Sequence, residues 1–139
     1  MSEENKSKLR ASVDAIETGY EFMLAYAAQG RDFEATGGGA GPSIRVYLGD
    51  MKEGLISIAD DFEAEINDKV ETGTQLFIDY IKVLRTDAEK SLQAVEMVLA
   101  LPSIGSQVID NLNATIHIRA LLTDMFLVDE ALTSLSRKP

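Results

Sequence analysis

The sequence predicts an all-α fold, an up-down-up-down bundle of four long helices, and two observations carry that reading. Apolar residues recur at alternating intervals of four and three along four stretches of the chain, the spacing that keeps them on one face of a helix. No stretch of useful length alternates apolar and polar residues as a half-buried strand would, and no repeat of fixed period is present. Amphipathic helices of similar length bury such stripes against one another at shallow crossing angles.

The first helix, about residues 5–29, follows the seam Leu9, Val13, Ile16, Tyr20, Met23 and Ala27 and stops near Gly30. Residues 30–43 then form a loop, because Gly37-Gly38-Gly39-Ala40-Gly41-Pro42 continues no regular element. Ser43 caps the second helix, about 44–66, whose seam is Ile44, Leu48, Met51, Leu55, Ile58 and Phe62. Around Asn67 the pattern weakens, and two capping boxes, Asp68 with Glu71 and Thr72 with Gln75, offer alternative starts for the third helix. That helix, about 72–100, carries Phe77, Ile81, Leu84, Ala88, Leu92, Val95 and Leu99 and ends before Pro102. Ser103 is the expected cap of the fourth helix, about 104–135, which no Gly or Pro interrupts after Gly105.

With 139 residues the chain reads as one domain spanning 1–139. Its formal net charge of −10 opposes binding to nucleic acid and to anionic membrane surfaces. The chain has no cysteine, which removes disulfides, thiolate nucleophiles and thiolate metal sites. The N-terminal residues are polar and the apolar runs are short, so the expectation is a cytoplasmic protein without a membrane span. No cofactor motif is present: the Gly-rich loop lacks the Lys and Ser/Thr of a phosphate-binding loop, although Arg45 in the next turn would assist an anion there.

His117 is the one imidazole, and Asp110, Asn113 and Asp124 lie at helical intervals from it. A lone histidine on a bundle helix is similar to the arrangement in histidine phosphotransfer domains, which implies His117 as phosphoacceptor. Ala120, Leu121 and Ile118 stand where that family and the related kinase cores carry Lys, Gly and an acidic residue. Carboxylates are numerous enough for a metal-holding bundle, but Ala114 occupies the place of the Glu in the required Glu-x-x-His. The acidic run Asp60, Asp61, Glu63, Glu65, Asp68 and Glu71 suits solubility or a basic partner.

The fourth segment is apolar around most of its circumference from Ile116 to Val128, more than one buried face needs. The expected function is therefore that of a non-enzymatic interaction protein (adaptor, chaperone-like partner or assembly factor) acting as a homodimer. Ile118, Leu121, Leu122, Met125, Phe126 and Val128 are the expected interface, and a protein with a basic or apolar surface is the expected further partner.

Overall fold

A computed structural model describes residues 2–34 and 43–136. All regular structure among them is helical, in five helices: α1 (Ser2–Ala27), α2 (Ile44–Lys69), α3 (Thr74–Leu99), α4 (Ser106–Ala114) and α5 (His117–Ser136). The expected fourth helix is thus two, and the Gly37–Gly41 stretch with its candidate anion site lies outside the described residues. None of the helices is long and apolar enough to cross a membrane.

The seams place the core where the spacing puts it: Ile16, Met23, Leu48, Met51, Ile58, Leu84 and Val95 are all fully buried. α1 and α2 run antiparallel, since Ser12 meets Ser57 near one end while Gly19 abuts Met51 farther along. Gly54 makes their close approach possible, because a Cβ there would stand 2.9 Å from the Ser12 carbonyl oxygen. α2 and α3 are antiparallel as well, with Arg85 held by Asp60 and Glu63 and Lys52 facing Glu96. α4 packs along α1 and α5 along α3, so the two short helices share the position expected of one.

Local capping differs from the expectation in two places. Ser43 does cap α2, its hydroxyl accepting from the Val46 amide at 3.4 Å. The N-cap of α3, however, is Gly73 in the left-handed region, and the expected boxes at Asp68 and Thr72 do not form its start. α4 begins after Gly105 and not at Ser103, whose hydroxyl instead accepts from the Glu34 amide. Gly105 is needed there because a Cβ would meet the Asp32 carbonyl oxygen at 2.6 Å.

The break between α4 and α5 falls at Thr115 and Ile116. The Thr115 hydroxyl donates to the Leu112 carbonyl at 2.7 Å, Ile116 adopts φ 64°, and its carbonyl accepts from the Ala120 amide to begin α5. Neither Gly nor Pro marks the site; the local signal is a β-branched pair of low helix propensity. The turn lets Ile109 and Leu112 bury toward α1 while Ile118 and Leu121 bury on the α3 side. A β-branched residue in the left-handed region is strained by roughly 1–2 kcal/mol. Ile116→Gly is therefore expected to be more stable than Ile116→Ala by about 1 kcal/mol, the reverse of the usual helix order, in urea denaturation.

Candidate functional site

One end of the bundle is tightly closed. The Tyr26 hydroxyl donates to the Ile104 carbonyl, and the Ser106 hydroxyl donates to the Tyr26 carbonyl while accepting from the Arg31 amide. Arg45, the expected phosphate assistant, is fully engaged here. Its guanidinium binds both Glu34 oxygens at 3.0 Å and donates to the carbonyls of Leu99 and Leu101. Glu34 in turn accepts from the Ile104 amide. Residues 31–34 are accordingly fastened to the start of α4 and are not part of a loose connector.

The other end is open. The turn at Ile116 carries α5 toward α3, and α5 meets α1 at few points. Between them lies a cleft of about 450 Å³, within the size range of small-ligand sites. Phe62, Met125 and Leu132, all buried, give it an apolar floor, with Leu9 and Val13 of α1 beside them. Four carboxylates line it as well: Asp14 and Glu17 of α1, Glu65 of α2 and Asp129 of α5, together with the cations Lys6, Arg10 and Lys69.

Two of these carboxylates are in unusual surroundings. Glu65 is 3% exposed, and the Lys69 ammonium, one turn on, pairs with its Oε1 at 3.3 Å. Glu17 has its pKa raised, first by burial and then by the negative charges of Asp14 and Glu21, an effect that Arg10 opposes and Asp129 reinforces. Neither is marked in the sequence as lining a cleft, because the cleft depends on a helix break that the pattern does not display.

A second polar feature pins α5 to α3. Tyr80 donates to Asp124 Oδ1 at 2.8 Å, and Asp124, 6% exposed, buries Oδ2 with no donor beside it. Asp87 is within hydrogen-bonding reach of the same carboxyl, and a bond between two carboxyls requires a proton on one of them. Burial first, then Asp87, raises the Asp124 pKa to about 7, with the Tyr80 hydroxyl opposing the rise. The same bond and the burial push Tyr80 up to about 12.

His117 opens α5, half-exposed, and the residues expected to hold its ring are engaged elsewhere or set apart. Asn113 accepts from the Tyr20 hydroxyl at 2.9 Å and Asp124 from Tyr80. Asp110 lies on α4, beyond the break, so the expected polar stripe along one continuous helix does not exist. Among the described residues no three His, Asp or Glu side chains converge in a set that would hold a metal ion.

The expected interface is corrected in its detail. Ile118, Leu121, Leu122, Met125 and Val128 are buried within the chain itself, because α5 turns one side to α3 and another to the shared core. Phe126 is 55% exposed, as is its neighbour Leu127 at 54%. Compared with protein-family models, with curated proteins and with solved structures, the chain matches none.

Proposed function

We propose that this protein is a non-enzymatic interaction protein that works as a homodimer, a four-helix bundle in outline whose fourth member is split. The observation that supports the reading is the apolar surface left outside the core where α3 and α5 meet. Leu76, one turn before Tyr80, is 76% exposed, and Leu127, one turn after Asp124, is 54% exposed. The Tyr80–Asp124 hydrogen bond brings these two stretches level, with Val83 exposed one turn beyond Tyr80 on the same face of α3. Exposed apolar side chains grouped in this way suit a self-complementary two-fold contact.

Light scattering on the wild type and on the double variant Leu76→Glu/Leu127→Glu tests the proposal. Both side chains are exposed, so the variant is expected to keep its helical circular dichroism while its mass halves. A wild-type protein of monomer mass at micromolar concentration would overturn the reading, as would a variant that stays dimeric.

A further inference from the structure

We propose that the groove between α1 and α2 docks an amphipathic helix of a partner protein, one whose apolar stripe is flanked by lysine or arginine. The groove is lined by α1 and α2 alone and has a volume of about 730 Å³. It runs from Lys8 to Thr18 on one helix and from Tyr47 to Asp61 on the other, roughly 15–20 Å, which is three to four turns of a docked helix.

Its floor is made of small groups. Ala11 and Ala15 of α1 stand beside Gly54 and Ser57 of α2, and the two helices close up at Gly54, where a Cβ would meet the Ser12 carbonyl oxygen at 2.9 Å. With no bulky side chain on this floor, the side-chain ridge of a third helix can enter the groove. The polar groups of the floor are already satisfied. The Ser12 hydroxyl donates to Asp61 Oδ2 at 2.6 Å and lies 3.0 Å from the Ser57 hydroxyl, so the entering face has no hydrogen bond to supply and is apolar.

The charge of the partner follows from which carboxylates the fold leaves without a cation. Much of the acidic run of α2 is neutralised within the chain: Arg85 holds Asp60 and Glu63, and Lys69 pairs with Glu65. The rim of the groove is not neutralised. Asp14 on α1 and Asp50, Glu53 and Asp61 on α2 line it with Lys8 as the one cation, and among the described residues none of the four carboxylates forms an ion pair. Lysine or arginine beside an apolar stripe would meet this rim with complementary charge. A two-fold contact of the groove with itself would set the carboxylates against their own copies, so the occupant is a different protein and not a second copy of the chain.

Three synthetic peptides of about four turns separate the contributions: a leucine/lysine peptide with leucine at helical spacing, the same composition scrambled so that no apolar face forms, and a leucine/glutamate peptide with the original spacing. Titration of the full chain followed by two-dimensional NMR is expected to show the amphipathic leucine/lysine peptide saturating shifts at Ala11, Ala15, Gly54 and Ser57. Its binding is expected to be at least tenfold tighter than that of the scrambled peptide, with the leucine/glutamate peptide weakest. Ala15→Arg, which puts bulk and positive charge on the floor, is expected to weaken binding tenfold or more. The double variant Asp50→Asn/Glu53→Gln, at exposed positions, is expected to weaken it fivefold or more and provides the test should Ala15→Arg impair folding. The proposal is overturned if the scrambled or the leucine/glutamate peptide binds as tightly, if the shifts fall around Leu76 and Leu127 and not in the groove, or if both variants bind like the wild type. The groove shares no residue with the dimer contact proposed on α3 and α5, and dimerisation is read from mass, so failure of either proposal leaves the other standing.

Discussion

Asp124→Asn is expected to make the protein more stable at pH 8 than the wild type, and to remove a pH dependence that the wild type shows between about pH 4 and pH 7. The sign follows from proton counting. Asp124 holds its proton up to about pH 7 in the folded chain, whereas an unfolded aspartate loses it near 4. Between these values the folded state binds one more proton than the unfolded state, so the contribution of this group to stability falls as pH rises and is lost above the folded pKa. A difference of about three pKa units corresponds to roughly 4 kcal/mol at most. Asparagine keeps an acceptor for the Tyr80 hydroxyl and offers an N–H to Asp87, so it meets the needs of the site without carrying a charge.

Urea denaturation of both proteins at half-unit steps from pH 4.5 to 8 measures the effect. Their stability difference should grow up to about pH 7 and then level off. Tyr80→Phe should carry the loss on to higher pH, because it removes the donor that favours ionised Asp124. A wild-type stability that stays flat across this range would show that Asp124 and Asp87 do not share a proton.

Arg45→Met is expected to destabilise the protein by about 3 kcal/mol, and Arg45→Lys by nearly as much. The guanidinium ties the start of α2 to two other segments at once: the Glu34 carboxylate after α1 and the carbonyls of Leu99 and Leu101 at the end of α3. Methionine would preserve the aliphatic stem but leave a carboxylate that is 19% exposed facing carbonyl groups with no cation between them. Lysine would restore the charge but not the planar fork, so it would serve Glu34 or the carbonyls and not all of them. Thermal denaturation of the three proteins compares them directly. A lysine variant with wild-type stability would mean that charge alone matters at this junction.

The helical character of the chain was legible in the spacing, because burial of a stripe at period 3.6 is a local signal. Ile16, Met51 and Leu84 all lie on the faces that the seams define. The break at Ile116 was not legible, since it arises from a tertiary preference for burial on two different helices, and the β-branched Thr115–Ile116 pair is too common within helices to mark it. The same reason hid the cleft, which exists only because α5 leaves α1. Arg45 illustrates a different limit. Its position in the first turn of α2 suggested an anion ligand, and the sequence held no sign that Glu34 and two carbonyls would surround it. The surplus apolar residues of α5 were read correctly as needing cover, but most of that cover comes from within the chain.

The Tyr26–Arg45 junction lies near the C-terminal end of α1, whereas the cleft is lined by α1 from Lys6 to Glu17, about 14 Å or more back along the helix. Over such a distance the free-energy effects of substitutions are expected to add independently. The protein therefore divides its labour along its long axis. One pole holds the chain crossings in register, and the opposite pole can change the shape and charge of its opening without disturbing that register. Substitutions around the opening need not compromise the integrity of the bundle.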